Sequence, residues 1–182
     1  MKSTFFSALS ILTVFLITPS FAEPLSALEP RAKPTAADTA IAYIENSANS
    51  ANINPSCFFS GQTIVQTVIK GKKYSSKKTA ESALNDFKSA RKCHVIAEIV
   101  GKAGVSTSTL SALDWQHVSK ALAETVKGPV YVLLGKDVRS NSVWLTDEKP
   151  ALKANKGVTT VEVWEIETDG SVKKTSKTKA TL

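Results

Sequence analysis

The feature that most constrains this chain is a helical pattern that stops abruptly and becomes a strand, in 111-SALDWQHVSKALAETVKGPVYVLL-134. Trp115, Val118, Leu122 and Val126 recur at three- and four-residue steps, the spacing of one buried helix face, and Asp114 is the expected N-cap. Gly128-Pro129 ends the helix, and Val130 to Leu134 is an apolar run that reads as a buried strand. A second strand is expected over Val158 to Ile166, where apolar and polar side chains alternate. Helix, strand, loop and strand in that order predict a single α/β domain with a short, mainly parallel central sheet flanked by helices.

The remaining segments fit around that unit. The chain has 182 residues, room for one domain. Lys2, the apolar run from Phe5 to Ile17 and the small residues leading to Ala22 read as a secretory signal peptide over residues 1–22. The expected location is therefore secreted and extracellular, and the apolar run is too short for a comfortable membrane span. Residues 23–35 carry three prolines and read as a flexible leader or propeptide, followed by the α/β domain over 36–168. Within it, the run from Ala36 looks helical, and Thr63 to Ile69 suits a strand or a helix equally. Lys70 to Lys78 reads as a basic loop, Thr79 to Phe87 as a helix and Lys92 to Ile99 as a strand. Gly135 to Lys149 is a long polar connection, and Pro150 to Gly157 links it to the last strand. Residues 169–182 read as a basic flexible tail.

Charge and cysteines bound the chemistry. Lysines and arginines number 23 against 16 acids, a net charge of +7, and the excess stays basic without Lys2. Such a balance favours anionic or phosphate-bearing partners without choosing among them, and lysine-rich loops are commonly just solvated. Cys57 and Cys93 are expected to pair, given an oxidising destination. Neither has zinc-type spacing, and His94 and His117 read as structural or exposed, so no metal and no cofactor are expected.

Several residues stand at spacings that carry more weight together than singly. Trp115, Val118, Ser119, Ala123, Glu124 and Gly128 lead into Val130, Val132 and Leu134. Downstream come Ser142, Trp144 and Glu148, then Leu152, Val158 and Val161-Glu162-Val163-Trp164. Upstream stand Phe59-Ser60-Gly61 and Thr79-Ala80-Glu81. Over roughly Cys57 to Ile166 this order resembles the C-terminal half of the ADP-ribosyl cyclase / NAD glycohydrolase family, ectoenzymes that split nicotinamide from NAD. Departures accompany the match: Phe59 stands where the animal enzymes have tryptophan, and the family's large N-terminal helical region and most of its cysteines have no counterpart.

The resemblance implies an NAD glycohydrolase that yields ADP-ribose and nicotinamide, with cyclic ADP-ribose as a second product open to the same chemistry, on NAD or NADP as substrate. It implies Glu148 as the catalytic carboxylate and Glu81 as the residue that balances hydrolysis against cyclisation. It implies Trp115 and Phe59 as faces for the nicotinamide ring, with Trp144 beside them. Ser60, Gly61, Ser119 and Ser142 would be donors to ribose and phosphates. The chemistry suits these residue types, because a pyridinium leaves as a neutral base and the ribosyl cation left behind needs a carboxylate. Aromatic faces attract the cationic ring.

Each residue alone has a plainer reading. Glu148 beside Asp147 and Lys149 looks like a solvated loop carboxylate, Glu81 like a helix-start acid favoured by the dipole, and Trp144 and Trp164 like packing residues. The alternatives to an NAD glycohydrolase are a non-enzymatic secreted binding or effector protein on the same scaffold, and a basic nuclease-like toxin. The last lacks a convincing His/Glu pair, and no nucleic acid is expected as partner.

Overall fold

A computed structural model describes residues 33–182, so the segment read as a signal peptide and nearly all of the leader lie outside the described residues. Helix α1 (Ala36–Glu45) starts where Thr35 accepts a hydrogen bond from the Asp38 amide at 3.1 Å and the Asp38 carboxylate answers to the Thr35 amide at 2.9 Å. A short helix α2 (Ser50–Ile53) leads into β1 (Ser56–Ser60), and β2 (Gln62–Ile69) and β3 (Lys72–Thr79) form a separate antiparallel hairpin. Then follow α3 (Leu84–Arg91), β4 (His94–Val95), α4 (Ile96–Lys102), α5 (Ala112–Thr125), β5 (Gly128–Leu134), α6 (Lys149–Ala154), β6 (Val158–Ile166) and β7 (Val172–Lys174).

The main sheet has five strands in the order β4-β1-β5-β6-β7. The first four run parallel and β7 pairs antiparallel with β6. This is the expected α/β domain, with the hairpin as an addition. Alternation along the strands sorts the core into two layers. Phe58, Val130, Val132 and Val163 face α1, α4, α5 and α6, meeting Ile44, Ile99, Val118, Leu122 and Leu152. Cys57, Leu133 and Ile166 face the other way, onto Leu84 and Phe87 of α3. Trp164 sits on that second face, edge-on to Phe87 at 6.2 Å between ring centres, with the Arg91 guanidinium 3.7 Å above its ring. Cys57 and Cys93 are disulfide-bonded with Cα atoms 5.6 Å apart, which ties β1 to the end of α3.

Several expectations are corrected. The stretch Lys70 to Lys78 is not a loop: pairing with β2 turns it into strand β3 from Lys72 onward, and the undecided Thr63 to Ile69 is a strand. Lys92 to Ile99 is strand only at His94–Val95, because Ile99 and Val100 bury on α4 instead. Helical structure after Thr79 begins with a 3-10 turn at Glu81–Ala83, since Thr79 still pairs with Gln62. The N-cap of α5 is Ser111, not Asp114; Asp114 is the third helical residue, and its carboxylate accepts from the Ser111 amide at 2.9 Å. Pro150 opens α6 and does not merely link, as proline does in a first helical turn. The tail adds β7 and packs Leu182 against the core. Among the described residues, no helix is long and apolar enough to cross a membrane.

Candidate active site

The chain leaves β1 toward β4 on one side and leaves β5 toward β6 on the other, although β1 and β5 are neighbours. Opposed departures open a crevice at the carboxyl ends of adjacent parallel strands, the usual place for a ligand in an open α/β sheet. A cleft of about 470 Å3 lies there.

One glycine lines the cleft and a second packs against the lining backbone. Gly61 turns the chain from β1 into β2 at φ +83°, where a Cβ would lie 2.6 Å from the Asp137 carbonyl oxygen. Gly135 follows β5, and a Cβ there would stand 2.1 Å from the Gln62 backbone nitrogen. The two corners are laced together: the Gly135 amide donates to the Ser60 carbonyl at 2.8 Å, and Gln62 and Asp137 exchange backbone bonds at 3.0 and 2.9 Å. The close crossing of the two backbone corners requires that both positions lack a side chain.

All nine residues singled out for the site line this cleft: Phe59, Ser60, Gly61, Glu81, Trp115, Ser119, Ser142, Trp144 and Glu148. Trp115 and Ser119 are one helical turn apart on α5, so both project to the same side while Val118 and Leu122 bury behind them. Trp144 and Glu148 share a π-helical turn, Trp144–Glu148, that runs directly into α6. Such wide turns recur at functional sites because the widened ring re-aims side chains. The turn is anchored by Ser142, whose carbonyl accepts from the amides of Leu145 at 2.9 Å and Thr146 at 3.0 Å, and whose hydroxyl accepts from Leu145 at 3.4 Å. Ser142 therefore positions Glu148 as well as lining the cleft.

Glu148 is the electrostatic centre. It is 7% exposed, and burial pushes its carboxyl up from 4.5 to about 7; the polar Ser119 side chain opposes that rise and the charge of Asp147 adds to it. Asp147 itself turns away, accepting from the Gln116 side-chain amide at 2.8 Å. The plain reading of Glu148 as a solvated loop acid is therefore overturned. Trp144 is 3% exposed and serves both cleft and core, whereas Trp115 is half-buried with its ring at the cleft wall. Glu81 is exposed at the opening. His94 and His117 do not line the cleft.

Sequence reasoning missed Lys77, Asp137 and Arg139, which also line it. The usable signal was positional, since Asp137 and Arg139 fall in the loop just after a parallel strand. Lys77 was hidden because a lysine-rich stretch looks the same whether it hangs free or pairs. Among the described residues, no cluster of three or more His, Cys, Asp or Glu side chains is placed to hold a metal ion. The arrangement can hold a flat cationic ring against tryptophan, set a carboxylate beside it, and meet phosphates with Lys77 and Arg139. No protein-family model matches the chain, nor does any curated protein or solved structure.

Proposed function

We propose that the protein is a secreted NAD glycohydrolase. The reading is supported by one observation above others: Glu148, buried at the carboxyl ends of β1 and β5, shares a single cleft with Trp115 and with the serines Ser60, Ser119 and Ser142. The disulfide supports an oxidising destination. In the proposed reaction the bond between nicotinamide nitrogen and ribose C1′ breaks, and its electron pair returns to the pyridine ring, which leaves neutral. Glu148, ionised, stabilises the ribosyl cation, and water adds to C1′ with loss of a proton to give ADP-ribose. Trp115, with Phe59, holds the ring before cleavage, and Lys77 and Arg139 meet the pyrophosphate or the additional phosphate of NADP. A bound pyridinium favours the ionised form of Glu148, so substrate prepares its own catalyst.

The test is release of nicotinamide from NAD by the purified protein, with Glu148→Gln as the paired variant. Cleavage should fall by roughly two to three orders of magnitude in that variant, the scale of removing one electrostatic stabiliser. A non-enzymatic binding protein on the same scaffold is the second reading, and the observation on its side is that Glu148 is only about half ionised at pH 7. Tight NAD binding without nicotinamide release, equal in wild type and Glu148→Gln, would establish it in place of the enzyme.

A further inference from the structure

Among the described residues, the hairpin β2–β3 is anchored only at its base. The Thr63 hydroxyl donates to the Ile166 carbonyl at 2.8 Å, the Gln66 amide to Thr168 at 2.7 Å, and the Lys78 ammonium to Gly170 at 2.8 Å. Beyond that base, every residue from Thr67 to Tyr74 is exposed.

Its composition is unusual for a solvated ribbon. Among the described residues five large hydrophobic side chains are exposed, and four are here: Ile64 at 52%, Val68 at 64%, Ile69 at 57% and Tyr74 at 50%. The hairpin also carries Lys70, Lys72, Lys73, Lys77 and Lys78 and no acid. None of these lysines forms an ion pair among the described residues. At the tip, Lys70 and Gly71 make a two-residue turn with φ of 48° and 76°. Asn or Gly is the favoured first residue of such a turn, so a lysine there places positive charge at the extreme end at a conformational cost.

We infer that the distal hairpin, through Val68, Ile69, Tyr74 and Lys70, Lys72 and Lys73, docks the protein on an anionic lipid surface. The choice of occupant follows from the two faces of the ribbon. Val68 pairs with Lys73 on one face, while Ile69 pairs with Lys72 and Tyr74 with Thr67 on the other. A protein partner or a second copy covers one face and leaves the other apolar group in water. A lipid interface surrounds the tip and buries both, with tyrosine at headgroup level and lysines on the anionic groups. The net charge of +7 further opposes pairing of two like-charged hairpins.

The test is co-sedimentation of the purified protein with vesicles of phosphatidylcholine, with and without phosphatidylserine, read apart from any NAD cleavage. Binding is expected only with phosphatidylserine and should weaken as salt rises. Lys72→Gln and Lys73→Gln should each weaken it about five-fold, the factor for one lysine near an anionic surface. Val68→Ser with Ile69→Ser should weaken it at least about ten-fold, through lost apolar burial, while leaving thermal unfolding unchanged because both sites are exposed. Equal binding to neutral vesicles would overturn the inference. So would full vesicle binding by the double serine variant, or capture on heparin or an acidic protein in place of vesicles.

Discussion

Replacing Glu148 by glutamine should make the protein more stable while, on the proposed function, slowing cleavage of NAD, and the stability gain should depend on pH. The folded protein holds the Glu148 proton up to about pH 7, whereas the unfolded chain releases it near 4.5. Below 4.5 both states are protonated and burial of the carboxyl carries no ionisation cost. As pH rises between those two values the unfolded chain sheds its proton first, so folding is progressively disfavoured; above about 7 both states are ionised and the cost levels off. Each pH unit of that window is worth about 1.4 kcal/mol, so the full cost is roughly 3 kcal/mol. Glutamine keeps the shape and a polar group facing Ser119, but it never ionises. At pH 8, Glu148→Gln should therefore unfold roughly 6 to 12 °C above wild type, at about 2 to 4 °C per kcal/mol for a domain of this size. At pH 4 the two melting curves should coincide. Calorimetry or circular dichroism across pH measures this directly. A difference that stays constant with pH, or a variant less stable than wild type at pH 8, would falsify the assignment of Glu148 as a buried carboxylate held against its preference.

Other perturbations separate the parts of the site and its frame. If Trp115 carries the nicotinamide, Trp115→Ala should raise KM for NAD by about 2- to 30-fold, the range of one cation–π contact, with a smaller change for Trp115→Phe. The pH profile of kcat/KM should rise through about 7 as free Glu148 ionises, and lose that step in Glu148→Gln. Cys57→Ala with Cys93→Ala removes a cross-link spanning 36 residues and should lower stability in urea by roughly 3 to 4 kcal/mol. Gly135→Ala should disrupt the close crossing of the two backbone corners and yield little folded protein, since its methyl group would meet the Gln62 backbone at 2.1 Å; a well-folded alanine variant would show that the two corners do not cross as closely as described.

Helix α5 and strands β5 and β6 were readable because each is long enough for its own period to show. Fourteen residues of α5 repeat the helical step and nine of β6 alternate, so local pattern and tertiary burial agree. The candidate residues were readable too, as types at spacings. Their meeting in one cleft was not, because that depends on β1 and β5 becoming neighbours across more than sixty intervening residues.

The misreadings share a cause. Lys92 to Ile99 is too short for its period to decide between strand and helix, and only the burial of Ile99 and Val100 against the core selects α4. Lys72 to Thr79 has the composition of a solvated loop, and it is a strand because β2 supplies backbone partners along its whole length. Ser111 and Asp114 both suit a cap, and hydrogen-bond geometry alone assigns them.

What the sequence by itself determined is the α/β class, the strands β5 and β6, the helix that carries Trp115 and the pairing of two cysteines. All follow from short-range periodicity, turn residues and residue chemistry. What only the tertiary structure decided is the state of Glu148 and the exposure of the hairpin. A carboxylate flanked by Asp147 and Lys149 looks solvated in the chain; the π-helical turn folds it beneath the cleft, and loss of water raises its affinity for a proton. Ionisation and exposure depend on which distant segments exclude solvent, and that is a property of the packed molecule and not of its neighbours in sequence.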